Sequence, residues 1–219
     1  MSRLKIHSTT GGLASTNAYL IADVATKQAV FFDAPDHTMT PLIQVARTEG
    51  YDVIGLWLTH AHFDHFADHA VVTDAFPNAK VLLHPLDAAK MRSPTLQTRM
   101  FQLPFTIPGR EADAPVNDGD VLRIGDTEVR AIHTPGHAPG HVMYWFPSDG
   151  VLVGGDLIIC GAVGRTDFPE SDEDQLIESI RKVYATCPDE TQLLPGHCEE
   201  TTLGQERRTN RYVRQVLRA

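Results

Sequence analysis

The chain has 219 residues, 42% hydrophobic and 21% charged, with a formal charge of −9. Those values suit an ordinary globular protein with one substantial core, and two very small domains are not expected. The acidity argues against non-specific binding to nucleic acid or to anionic membrane, both of which need basic patches.

Cys160, Cys187 and Cys198 form no CxxC pair, which fits a reducing compartment rather than a disulfide framework. No long apolar segment opens the chain, so a cytoplasmic protein without signal peptide or membrane span is expected.

In chain order, short β-prone runs at Leu4–His7, Ala18–Ile21 and Ala29–Phe32 are separated by turns at Gly11-Gly12 and 23–27. Thr40-Pro41 predicts a helix ending at Gly50, with Thr40 as N-cap and Gly50 as C-cap. Val53–Leu58 is a near-continuous apolar run, the pattern of a strand covered on both faces. A helix over 64–75, a strand at Lys80–His84 and a short helix at Pro85–Met91 are expected next. From Arg92 to Asp118 the pattern breaks down around four prolines, which predicts either a lid or a loop covering a sheet edge.

Strands return at Val121–Ile124, Thr127–His133, His141–Phe146 and Val151–Gly154, with Gly125-Asp126 as a hairpin turn. A polar loop over 156–171 leads to an amphipathic helix over 172–184, a strand at Gln192–Leu194 and a terminal helix at Leu203–Leu217. Two runs of strands, each followed by helices, suggest two halves within a single domain spanning 1–219, although no sequence repeat accompanies them.

The densest chemistry lies at Thr59-His60-Ala61-His62-Phe63-Asp64-His65, directly after a buried strand. In an extended segment His60 and His62 point the same way, and Asp64 and His65 follow where the chain can turn. Imidazole nitrogen suits zinc, iron or copper, and carboxylate oxygen suits harder cations, so one loop can feed two neighbouring metal positions. Three further strand ends carry His137 in Pro135-Gly136-His137, Asp156 in Gly154-Gly155-Asp156 and His197 in Pro195-Gly196-His197. Singly each is an ordinary turn. Together with the first loop they set seven metal-binding side chains at matching structural positions.

With Asp33, these motifs resemble the metallo-β-lactamase-fold hydrolase superfamily. The resemblance implies an α+β fold, a four-layer αβ/βα sandwich of two mixed β-sheets flanked by helices. It implies that His60, His62 and His137 hold one divalent metal ion, that Asp64, His65 and His197 hold a second, and that Asp156 bridges them. Zinc is expected first, with iron or manganese as alternatives.

Within the superfamily, Gly164–Pro169 and Thr201–Asn210 resemble the single-domain glyoxalase II-like (hydroxyacylglutathione hydrolase-like) group. That implies a thioesterase acting on small thioesters such as S-lactoylglutathione. A hydroxide shared by the two ions would attack the carbonyl, with Asp64 orienting the water. No C-terminal glutathione-binding helical domain is expected after His197. Arg165, paired with Asp167, and Arg207 are the candidate substrate contacts. Asp33, His84 and His133 are expected to steady the ligands. The alternative is a persulfide dioxygenase of the same fold, whose Gly-Arg-Thr-Asp-Phe loop is also matched here. It would place one iron on His60, His137 and Asp156. Neither reading calls for nucleic acid or membrane as a partner, and the sequence does not indicate an oligomeric state.

Overall fold

Side-chain alternation along two sets of strands builds the fold, seen in a computed structural model that describes residues 3–218. The first six-stranded sheet orders β1 (Leu4–Gly11), β2 (Thr16–Asp23), β3 (Gln28–Phe32), β4 (Asp52–Trp57), β5 (Lys80–Leu83) and β6 (Ala114–Pro115). Its first three strands are antiparallel, and β3 to β6 run parallel. The second sheet carries β7 (Val121–Ile124), β8 (Thr127–His133), β9 (Val142–Phe146) and β10 (Val151–Gly155), all antiparallel. Beyond it β11 (Ile158–Ile159) and β12 (Ala162–Val163) form a separate hairpin. The second sheet resumes with β13 (Gln192–Pro195), parallel to β10, and ends at β14 (Thr201–Thr202).

The helices are α1 (Thr40–Glu49), α2 (Phe63–Phe66), α3 (His69–Ala75), α4 (Ala88–Arg92), α5 (Thr95–Met100), α6 (Glu173–Thr186), α7 (Leu203–Thr209) and α8 (Arg211–Val216). No helix among the described residues is long and apolar enough to cross a membrane.

Central strands are covered on both faces, so successive residues enter different cores. In β3, Ala29 and Phe31 pack with Leu42 and Ala46 of α1, whereas Val30 and Phe32 face the other sheet. There Phe32 meets Trp57, Tyr144 and Phe146 edge-on, with ring centroids 5.2–6.0 Å apart. In the second sheet Met143 and Leu152 pack against Leu176, Ile180 and Val183 of α6 and Val213 of α8. Three apolar layers thus separate helices, sheet, sheet and helices, which is the αβ/βα sandwich expected.

Several boundaries differ from the expected ones. Thr40 is the first residue of α1 rather than its cap; Met39 precedes it without a side-chain cap, and Gly50 ends the helix at φ 66°. The helix expected over 64–75 is two helices, because Asp68 turns back to the start of α1. Its carboxylate accepts from Thr38 N (3.0 Å) and Met39 N (3.3 Å), and its own N–H donates to Ala34 O (2.9 Å). The terminal helix is likewise broken at Asn210, whose Oδ1 accepts from Tyr212 N and Val213 N to cap α8. The Arg92–Asp118 segment contains α5 and β6, and β6 covers the edge of β5.

Candidate metal centre

The ends of β4, β8, β10 and β13 converge at one edge of the sandwich, and hydrogen bonds between the sheets fix their loops. Tyr144 OH donates to Leu58 O (2.9 Å) and Val142 N to Thr59 O (2.8 Å), so β9 holds the His-rich loop that follows β4. Gly196 N donates to Gly155 O (2.7 Å), joining the turns that carry His197 and Asp156. Asn17 of β2 stitches the same place, donating from Nδ2 to Pro195 O (3.0 Å) and Cys198 O (2.8 Å). Residue 196 must be glycine for a local reason: a Cβ there would lie 2.1 Å from Asp156 Oδ1.

All seven predicted metal-binding residues meet here, and six of them are buried. His62 Nδ1 lies 3.1 Å from His60 Nε2 and 2.8 Å from His137 Nε2. Beside them, Asp64 Oδ2 lies 3.4 Å from both His65 Nε2 and His197 Nε2. Asp156 stands between the two sets, with Oδ1 3.5 Å from His65 Nε2 and Oδ2 3.5 Å from His137 Nε2 and 3.2 Å from His197 Nε2. Donor atoms around a tetrahedral ion at about 2.0–2.1 Å are roughly 3.3 Å apart, so these spacings suit cations held between them. His65 Nε2 and Asp156 Oδ1 are moreover buried without a hydrogen-bond partner. The donor set therefore fits divalent ions.

The outer nitrogens set the tautomers. Asp33, at φ 59° after β3, accepts from Thr59 N, Thr59 Oγ1 and His65 Nδ1, each at 2.8 Å. With its own proton committed to Asp33, Thr59 Oγ1 accepts from His60 Nδ1 (3.0 Å), and His137 Nδ1 donates to Arg165 O (2.8 Å). In each case Nε2 is left facing the centre.

Burial pushes His137 down to about 4, and burial together with neighbouring imidazoles holds His60 well below its ordinary value. Burial opposes ionisation of Asp64, but His65 and His197 bring it down to about 2. Burial likewise opposes charge on His197, but its hydrogen bonds to Asp156 and Asp64 raise it to about 10. The buried carboxylates thus demand positive charge, which protons supply in the metal-free chain and divalent ions would supply in its place.

Other contributors carried no local signal in the sequence. Thr16 Oγ1 donates to Asp64 Oδ2 (2.7 Å) from the start of β2. His141, just before β9, is buried and accepts from Asp156 N at Nε2 (2.9 Å). Gln97 of α5 clasps the His-rich loop, donating to Ala61 O (2.8 Å) and accepting from Phe63 N (2.9 Å).

The remaining candidates lie at different distances from the centre. His84 and His133 stack on each other, centroids 4.1 Å apart, and their rings hydrogen-bond to Leu86 N and Pro139 O rather than to the ligands they were expected to steady. Arg207 does not line the cavity beside the centre; it pairs with Asp189 (2.9 Å) and lies over the Tyr184 ring. Arg165 does line that cavity of about 180 Å³, along with Ala14, Phe63, Phe101 and Phe168. Its guanidinium pairs with Asp167 (2.6 Å) and lies 4.4 Å from the Phe168 ring centre.

Comparison with known proteins agrees with this geometry. Residues 11–197 match the family model of the metallo-beta-lactamase superfamily. The hydroxyacylglutathione hydrolase GloC of Haemophilus influenzae is 31% identical over 188 residues, covering 85% of this chain and 88% of its own. The crystal structure of BLEG-1 B3 metallo-beta-lactamase superposes with TM-score 0.87 at 32% identity, over 95% of this chain and 99% of that one. The structure of TTHA1623 in a di-iron-bound form gives 0.81 at 33% identity, over 94% and 99%. The chain belongs to the metallo-beta-lactamase superfamily.

Proposed function

We propose that the chain is a binuclear metal-dependent hydrolase of small thioesters, of the hydroxyacylglutathione hydrolase type. The observation that carries this is the pair of donor sets sharing Asp156: His60, His62 and His137 on one side, Asp64, His65 and His197 on the other. Similarity to GloC supports a thioester as the substrate class. The di-iron neighbour keeps iron beside zinc as an occupant, with manganese a further option.

Bound ions would supply Lewis-acid polarisation of the carbonyl and a water acidic enough to ionise near neutral pH. The chain's own residues do the rest. Thr16 holds Oδ2 of Asp64, the oxygen nearest His65 and His197, so that the carboxylate is fixed where it would orient a water. Phe63, Phe101 and Phe168 wall the cavity, exclude bulk water and offer apolar contact to an acyl group. Arg165 is the cation placed to meet an anionic part of the substrate. A thiolate leaves without a general acid, which suits a cavity whose lining, among the described residues, includes neither Lys nor Tyr.

The dioxygenase alternative, one iron on His60, His137 and Asp156, would leave Asp64, His65 and His197 without a task. The test is to assay S-lactoylglutathione hydrolysis, β-lactam hydrolysis and oxygen uptake with glutathione persulfide on one preparation of known metal content, with His62→Ala and Asp156→Ala alongside. Thioester turnover lost in both variants is expected. Oxygen uptake on a single iron, or faster β-lactam turnover, would replace the proposed substrate class.

A further inference from the structure

Three of the inward-facing imidazoles have their outer nitrogen anchored: His60 on Thr59, His65 on Asp33 and His137 on Arg165 O. His62 differs. Its Nδ1 faces His60 and His137, and its Nε2 is buried with no hydrogen-bond partner. The carboxylate beside that atom is Glu170, with Oε1 3.5 Å away.

Glu170 is itself held. Lys90 Nζ lies 3.2 Å from Glu170 Oε1 and 3.3 Å from Asp87 Oδ1. Asp87 is fully buried and accepts from Ala61 N (2.9 Å) and Gly140 N (3.1 Å). A chain of charges therefore runs from the backbone between His60 and His62, through Asp87 and Lys90, to the carboxylate beside the free face of His62.

We propose that Glu170 is the positioning residue for His62, its carboxylate accepting the Nε2 proton so that the Nδ1 lone pair is committed to the metal position shared with His60 and His137. This rests on the assignment of His62 as a ligand under the proposed function. A neutral imidazole carries one proton, and an anion at Nε2 decides which nitrogen keeps it while making the other a stronger donor. A carboxylate does this better than water because a charge-assisted bond is the stronger one.

The segment that carries Glu170 also supports His137. Arg165 O accepts its Nδ1 proton, Ser171 Oγ donates to its carbonyl (2.7 Å), and Phe168 packs 5.0 Å from the His62 ring. By contrast Asp33 and Thr16, from the first sheet, support His65 and Asp64. Asp33 also reaches His60 through Thr59, whereas Glu170 stands against His62 alone of the described metal-binding side chains, so its loss weakens only one position.

The test is competitive zinc titration of the metal-free chain against a chromophoric chelator, with Glu170→Leu, Glu170→Gln and Lys90→Met. In Glu170→Leu one of the two zinc affinities falls about 10- to 100-fold while the other stays within about threefold. Glu170→Gln falls less, because its amide oxygen still accepts, and Lys90→Met produces a smaller loss at the same position. Thermal unfolding in EDTA stays unchanged, since Glu170 is 33% exposed. Nitrogen-15 spectra of the His62 ring show a single Nε2–H tautomer in the wild type and a mixture in Glu170→Leu. Two wild-type zinc affinities in Glu170→Leu, or equal weakening of both, overturn the proposal. A wild-type chain that binds no zinc overturns the ligand assignment itself.

Discussion

Replacing Gln97 with leucine removes two hydrogen bonds from the loop that carries His60 to His65 while keeping a side chain of similar bulk. Gln97 is 8% exposed, and its amide satisfies Ala61 O and Phe63 N on either side of His62. Phe63 N belongs to the first turn of α2, where amides have no partner within the helix. Each stranded buried group costs about 1–3 kcal/mol, so leaving both Ala61 O and Phe63 N without a partner should make Gln97→Leu less stable by about 2–6 kcal/mol. The assay is urea unfolding of the metal-free chain, read as a lower midpoint at unchanged slope. Amide exchange at Phe63 should accelerate in step. A change below about 0.5 kcal/mol, with Phe63 still protected, would refute the claim that α5 braces the loop.

Further outcomes follow from the same geometry. Gly196→Ala drives a Cβ into Asp156 Oδ1, so bound metal and thioester turnover should fall together by at least about 100-fold; retained metal content would contradict this. Asp23→Asn tests a carboxylate that burial pushes up but that bonds from Thr26 N, Thr127 Oγ1 and Ala25 N bring below its ordinary 3.8. Because its folded value is depressed, its stabilisation is present above 3.8 and is lost as pH falls through the folded value. The variant should therefore be about 1–3 kcal/mol less stable at pH 7, with a smaller gap at pH 3 in urea unfolding; a constant gap would contradict the sign. Arg165→Ala should raise KM about tenfold, whereas Arg207→Ala should leave kcat/KM within about twofold, because its partners are Asp189 and Tyr184. Equal effects would reverse that distinction.

The seven convergent residues were legible in sequence because each sits just past a strand, and strand ends meet in layered α/β folds. The near-continuous apolar run Val53–Leu58 was likewise legible as a strand covered on both faces, with Val53, Leu56 and Leu58 in the core under α1 and Trp57 in the core between the sheets. What supports the site could not be read. Gln97 and Asp87 reach the loop from 26–36 residues away, and Thr16 reaches Asp64 across 48, so no local spacing announces them. Asp68 and Asn210 broke expected helices for the same reason: each side chain finds a backbone partner that competes with continuing the helix. His84 and His133 misled because a position after a strand says nothing about which way a ring turns.

The most direct test is to titrate the metal-free chain with zinc while following S-lactoylglutathione hydrolysis. Turnover should rise from none to a plateau at about two ions per chain, and Asp156→Ala should show neither the second ion nor the turnover. Full turnover under chelation, or wild-type turnover in Asp156→Ala, would contradict a binuclear hydrolase.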